Sequence, residues 1–297
     1  MMSRREFVKS SVTAGTALAG GTLTKGERAM SAEPAGPNIQ LGLVTYLWAQ
    51  AWDLGTIIKN LTASKALGVE LRSGHKHGVE IGISAEKRQE VRKRFADSPV
   101  KLLGPGSAEC FDHVDQAKLA KAIADTKAFL QLSADLGASG VKVRPNDFHN
   151  EIEREKTIEQ IGKSLNIVGK FAGDLGQQIR LEVHGKCAEL PTIKKIMDIA
   201  SDPNVAVCWN SNPTDLSGAG LEQNFNLVKD RLGATAHVRE LDSRGYPWDK
   251  LMELLVKSDY KGWLLLECTS KIDDPVAALS HQREVFEQLL AQARVKK

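Results

Sequence analysis

Residues 179–185 read Ile-Arg-Leu-Glu-Val-His-Gly. The two-residue period of a β-strand puts Arg180, Glu182 and His184 on one face and Leu181 and Val183 on the other. A carboxylate and an imidazole at the end of a short apolar strand need a counter-charge, hydrogen-bond donors or a metal ion if they are buried. Three later runs end in the same way: Val-Ala-Val-Cys-Trp-Asn at 205–210, Thr-Ala-His-Val-Arg-Glu-Leu at 235–241 and Gly-Trp-Leu-Leu-Leu-Glu-Cys-Thr at 262–269. From Glu182 to Asn210, His237 and Glu267 the steps are 28, 27 and 30 residues, each the length of one strand plus one helix. Two glutamates, an imidazole and an amide oxygen from successive strand ends make an open O/N site suited to Mn²⁺, Mg²⁺, Co²⁺ or Zn²⁺. Water or two vicinal substrate oxygens would complete the coordination. Structural ion pairs are the other reading: Glu182 with Arg180 or Arg144, and Glu267 with Lys142. Ion pairs require no histidine at the same level, which favours the metal.

The same alternation supplies neighbours. Lys142, Arg144 and Asn146 share a face, as do Glu70 with Arg72, His237 with Arg239, and Glu267 with Thr269. Lys142, Arg144, Arg239 and His184 are candidate substrate contacts, with salt bridges or core hydrogen bonds as their structural alternatives. His75, just past the second strand, is expected at the mouth and His77 in solvent; His113, His149 and His281 read as loop or surface residues. Arg244 is expected at the rim, and Trp248 as the anchor of its helix. The four cysteines (110, 187, 208 and 268) form no CxxC pair and read as small buried side chains.

Eight strands are expected to position these residues, over 39–46, 69–73, 100–103, 140–144, 179–184, 205–209, 235–239 and 262–267. A helix follows each, over 53–67, 84–96, 115–136, 154–175, 190–200, 221–231, 248–258 and 275–293. Asp53 is the expected cap and Gly68 the stop of the first helix. Eight βα units over about 255 residues predict a single α/β domain, a (β/α)8 barrel spanning 39–297. An open doubly wound sheet is disfavoured, because no G-x-G-x-x-G follows the first strand and the charged residues gather at several separated strand ends.

Before the barrel, residues 32–38 form a linker, and residues 1–31 are of another character. Ser3-Arg4-Arg5-Glu6-Phe7-Val8-Lys9, followed by a weakly apolar run to Leu23, resembles a twin-arginine export signal, with cleavage expected near Ala29-Met30-Ser31. That resemblance implies the twin-arginine translocation machinery as partner and a periplasmic destination. Export of a chain already folded in a reducing cytoplasm makes structural disulfides unexpected. Residues 1–31 hold five of the 40 basic and two of the 37 acidic side chains, leaving 35 of each. A neutral mature chain has no basic field for nucleic acid. No run of 18 apolar residues is present, so no stable membrane insertion is expected once the signal is removed.

Leu-Glu-Val-His-Gly, Val-Cys-Trp-Asn, Ala-His-Val-Arg-Glu-Leu-Asp and Gly-Trp-Leu-Leu-Leu-Glu, in that order and spacing, resemble the xylose isomerase-like TIM barrels, the sugar phosphate isomerase/epimerase superfamily. The resemblance covers essentially the whole mature chain. It implies one divalent metal held by Glu182, His237, Glu267 and the residue at 210, with Glu182 and Glu267 acting as acid and base. The family usually has Asp at 210 and a substrate-contacting His three residues later; this chain has Asn210 and Pro213. Asn removes one negative charge, so an ion would be held less tightly. The implied chemistry is proton abstraction beside the carbonyl of a keto sugar or keto-glycoside, giving an enediolate and then isomerisation, epimerisation or β-elimination. A substrate phosphate is not expected, since no Gly-rich phosphate loop follows the late strands. Two other readings are a non-catalytic carbohydrate-binding barrel with a degenerate metal site and an endonuclease IV-like nuclease. Pro213, the neutral mature charge and the lack of extra histidine ligands argue against the nuclease.

Overall fold

The structure, a computed structural model, describes residues 38–296; the segment read as an export signal lies outside the described residues. Eight strands alternate with eight α-helices. The strands are β1 (Gln40–Val44), β2 (Gly68–Arg72), β3 (Lys101–Cys110), β4 (Gly140–Arg144), β5 (Gln178–Glu182), β6 (Val205–Cys208), β7 (Thr235–Val238) and β8 (Trp263–Leu266). Every recorded pairing is parallel, in the order β6-β5-β4-β3-β2-β1-β8-β7. The two end strands meet through isolated bridges. Gly233 N donates to Val207 O (2.8 Å), His237 N to Trp209 O (2.7 Å) and Ser211 N to His237 O (3.2 Å), closing the single (β/α)8 barrel.

Several helices open on a side-chain cap that their sequences supply. Asp53 accepts from Thr56 N ahead of α1 (Leu54–Ser64), and Asp115 accepts from Ala117 N and Lys118 N ahead of α3 (Gln116–Asp135). Between them lies α2 (Ala85–Ala96), and α4 (Arg154–Asp174) and α5 (Leu190–Ile199) follow. The circuit ends with α6 (Leu221–Asn226), α7 (Trp248–Lys257) and α8 (Pro275–Val295), the last capped by Asp274. Among the described residues no helix is long and apolar enough to cross a membrane.

Three local expectations are revised. Helix α1 stops at Lys65, in the left-handed conformation (φ 59°), and Gly68 instead opens β2, where a Cβ would lie 2.3 Å from the Trp263 ring. The segment expected to be helical throughout 221–231 is the short α6 followed by a 3-10 turn, Lys229–Arg231. Strand β3 runs seven residues past its expected end, through Gly104-Pro105-Gly106. The pairing register with β2 shifts there, and a Cβ on Gly104 (φ 151°) would lie 1.8 Å from Gly140 O. A bulge admits this Gly-Pro-Gly run into a strand where composition suggests a turn.

Candidate functional site

Inward-facing residues of six strands or strand ends converge at the carboxyl end of the barrel. Glu182 Oε2 lies 2.7 Å from Lys142 Nζ, both side chains almost wholly buried. Asn210 Nδ2 donates to Glu182 Oε1 at 2.9 Å. His237 Nε2 lies 3.2 Å from Glu70 Oε1, while its Nδ1 faces Glu182 Oε1 at 3.5 Å and Glu267 Oε2 at 3.8 Å. Glu267 is the accessible member, its side chain 20% exposed against 2% for Glu182.

Each member is fixed from outside. A Cβ on Gly106 would stand 2.5 Å from Glu70 Oε1, so β3 leaves the notch that Glu70 fills. Lys142 Nζ also donates to Ser107 O (3.2 Å), and Ser107 Oγ donates to Lys142 O (2.7 Å). Asn212 Nδ2 donates to Val183 O and Asn210 O, tying the loop after β6 to β5. Glu267 N donates to Val238 O, and Glu240 Oε1 accepts from Thr269 N and Ser270 N beyond it.

Electrostatics divide the carboxylates. Burial opposes ionisation of Glu182, but the Lys142 ammonium and His237 outweigh it and hold the acid well below its usual range. Burial dominates at Glu267, whose carboxyl is raised, Glu182 and Glu70 adding to the effect. At His237 burial favours the neutral ring, but the Cys208 sulfur, Glu70 and Glu182 together raise it well above the ordinary imidazole. Two carboxyls pushed in opposite directions are what an acid–base pair requires.

The residues fit a divalent ion. Donor atoms of Glu182, His237 and Glu267 all lie within 4.8 Å of one another. His237 Nδ1 is buried and makes no hydrogen bond among the described residues. Without an ion the surrounding carboxylates favour a proton on both ring nitrogens; an ion would displace the Nδ1 proton and leave Nε2–H toward Glu70, which is the usual carboxylate–histidine–metal arrangement. Half a turn of the Asn210 amide brings its oxygen to the position of Nδ2. The ion would be held by Glu182, His237, Glu267 and Asn210, with Glu70 behind the histidine.

Other expected contacts divide. Lys142 is inside the cluster, bound to Glu182 rather than Glu267. Arg180 turns away from Glu182, donating to Gln178 Oε1, Leu103 O and Ser139 Oγ, so it belongs to the packed interior. Arg144 donates to Ala108 O (2.7 Å) and neither glutamate takes it as partner. His184 is partly buried with no hydrogen-bond partner at Nδ1; burial lowers its pKa, although Glu182 opposes this. Arg239 is exposed, its Nη1 3.5 Å from Thr269 Oγ1. His75 is partly buried in the turn after β2. His77 is buried rather than solvated, with Nε2 2.8 Å from Arg72 O and Nδ1 accepting from Val79 N: it braces that turn. Cys110, Cys187, Cys208 and Cys268 are all free, and only Cys110 is not fully buried. Glu70 and Glu240 are site residues that the sequence does not single out: strand alternation sets Glu70 on the Arg72 face, and no spacing marks Glu240. A cleft of about 680 Å³ lined by Gln40, Lys101 and Trp263 opens at the amino-terminal end of the strands, away from these groups.

The arrangement has relatives in fold. The structure of L-ribulose 3-epimerase is 16% identical with a TM-score of 0.73, covering 87% of this chain and 96% of that one. The 3-keto-D-glucoside 4-epimerase YcjR from E. coli is 13% identical (TM-score 0.71; 86% and 100% covered). IolI protein with a bound zinc atom is 14% identical (TM-score 0.71; 85% and 98% covered). No curated protein matches the chain in sequence. The family model described as "Xylose isomerase-like TIM barrel" matches residues 58–289, and the chain belongs to that family.

Proposed function

We propose that the protein is a divalent-metal-dependent enzyme of the sugar isomerase/epimerase kind, removing a proton beside the carbonyl of a keto sugar or keto-glycoside. The observation that carries this reading is the Glu182–His237–Glu267 cluster, with one glutamate held ionised and the other raised and partly open to solvent. A bound ion supplies positive charge beside the carbonyl oxygen and stabilises the negative charge that develops as the proton leaves. Glu182 is present as a carboxylate and so is free to accept the proton, although the Lys142 ammonium that keeps it ionised also weakens it as a base. Glu267, which burial keeps more readily protonated, is suited to return one. Return to the same carbon from the opposite face epimerises, return to the neighbouring carbon isomerises, and loss of a β-substituent eliminates. His184, Arg144, Arg239 and His75 are the proposed sugar contacts around the mouth. The sugar-acting names of the epimerases similar in fold support this substrate class. The Arg4-Arg5 segment supports export to the periplasm.

The experiment incubates the Mn²⁺- or Co²⁺-loaded protein with ketoses and 3-keto-glucosides in D2O and follows deuterium incorporation beside the carbonyl by NMR. Exchange is expected in wild type and reduced about 10²–10⁴-fold in Glu182→Gln and Glu267→Gln, the range for loss of an acid–base group. Elemental analysis of the Mn²⁺-loaded protein should find about one ion per chain that His237→Ala lacks, Mn²⁺ being chosen because a thiolate site disfavours it. A second reading has one observation behind it: Lys142 already offers Glu182 a positive charge, as a sugar-binding barrel without metal would need. Sugar binding with neither metal nor exchange would select it.

A further inference from the structure

The loop leaving β3 gathers a second set of metal-ligand side chains, none shared with the central cluster. Cys110 ends the strand and Asp112 and His113 follow, with donor atoms all within 4.8 Å of one another. Cys110 Sγ lies 3.7 Å from His113 Nε2. Zinc bonds of about 2.3 Å to sulfur and about 2.0 Å to nitrogen at a tetrahedral angle put those atoms about 3.5 Å apart, so one ion could bind both with little movement.

Asp112 adds an independent observation. It is 2% exposed, and its two oxygens differ in surroundings. Oδ2 accepts from Asp147 N at 3.0 Å and lies 3.0 Å from His149 Nε2. Oδ1 is buried and accepts from no N–H or O–H; beyond the partners of Oδ2 the carboxyl faces only the Cys110 thiol, a weak donor. A buried carboxylate oxygen that meets at most a weak thiol donor is poorly satisfied, and a cation would satisfy it better. Oδ2 is anchored as the outer partners of a metal-binding carboxylate usually anchor it. The loop itself is held in place, since Gln160 Nε2 donates to Phe111 O (2.8 Å) and His113 O (2.9 Å). Cys110 and His113 are both partly exposed, which leaves an ion a path in.

A reactive thiol does not fit this setting. Burial and Asp112 push the Cys110 thiol up to about 12, so the thiol is protonated when no ion is present, unlike an activated nucleophile, and an ion must displace that proton to bind. We propose that Cys110, Asp112 and His113 bind one thiophilic divalent ion, zinc foremost, with solvent as fourth ligand. The thiolate–imidazole–carboxylate set favours Zn²⁺ or Co²⁺ over Mg²⁺, Ca²⁺ and Mn²⁺. Binding releases the Cys110 proton to solvent and clips the end of β3 to the entry of α3.

The test titrates Co²⁺ into the reduced, metal-stripped full-length protein and follows the thiolate-to-cobalt charge-transfer absorption in the near ultraviolet. The band is expected in wild type, lost in Cys110→Ser, weakened at least tenfold in apparent affinity in His113→Ala, retained in His237→Ala and displaced by Zn²⁺. His113→Ala alters a partly exposed ring, so it remains informative if Cys110→Ser folds poorly. No band in wild type overturns the proposal. So does a band that survives Cys110→Ser or disappears in His237→Ala, which would place the thiolate beside the central cluster at Cys208. Because the central glutamates give no such band, failure here leaves the proposed enzymatic reading standing, and failure of deuterium exchange leaves this site standing.

Discussion

At the scale of single residues, Lys142 pairs with Glu182 rather than with Glu267, the partner that the sequence suggests for it. Its ammonium and the Glu182 carboxylate are both buried, so each is tolerable mainly because of the other. Lys142→Met should therefore destabilise the metal-free protein by about 3–5 kcal/mol, the usual range when one partner of a buried pair is removed. Urea unfolding checks this, and saturating Co²⁺ should shrink the loss, because the ion replaces the missing positive charge. Asp215 is another buried acid, apart from the carboxylate cluster. Asp215 accepts from Tyr246 Oη (2.7 Å) and Asn212 N (2.9 Å), and burial raises its pKa to about 7 despite both donors. Between its ordinary value and about 7 the unfolded chain ionises this acid while the folded one keeps its proton. Its contribution therefore lowers stability as pH rises through that window and is constant above it. In Asp215→Asn that contribution should vanish, so thermal unfolding compared at pH 5 and pH 8 should show a smaller loss than in wild type.

At the scale of elements, β3 governs the site through what its glycines omit. Gly106 leaves room for Glu70, and Glu70 stands against His237 Nε2. Gly106→Ala would displace the Glu70 carboxyl, costing about 1–3 kcal/mol as overpacking. It should also weaken metal binding about 10–100-fold by disturbing the histidine's outer partner. Calorimetric titration with Co²⁺ separates the two effects, since a purely local packing change would alter the unfolding midpoint and leave affinity unmoved. The same run, Gly104-Pro105-Gly106, explains why β3 is longer than its composition suggests. Glycine and proline mark turns in isolation, but here they accommodate the close approach of Gly140 and Glu70, and those neighbours belong to other strands.

At the scale of the whole molecule, the barrel collects into one cluster side chains that lie up to about 200 residues apart in the chain, from Glu70 to Glu267. The described barrel closes through its own β6–β7 bridges. Export of a finished barrel is what the twin-arginine reading requires, so replacing both Arg4 and Arg5 by Lys should retain the protein in the cytoplasm with its metal content unchanged. Fractionation followed by elemental analysis tests this; periplasmic accumulation of the double variant would remove the basis for the export proposal.

The sequence by itself determined the eight-fold βα repeat, the parity that turns Glu182, His237 and Glu267 inward, and the spacing that sets them at successive strand ends. Those follow from periods of two and 3.6 residues and from caps, which are local properties of the chain. Tertiary structure alone decided which inward charges meet. Lys142 and Arg180 are both cations on inward faces, yet only Lys142 reaches Glu182, while Arg180 bonds to Ser139 and Leu103. Strand stagger fixes the height of each side chain, and it is set by pairing between strands rather than by either strand's own residues. His77 shows a different limit: it bonds to Arg72 O and Val79 N within its own turn, a local loop conformation that neither strand nor helix periodicity predicts. Cys110, Asp112 and His113 are neighbours in sequence, but their meaning as a set rests on the poorly satisfied Asp112 oxygen, which folding alone exposes to view.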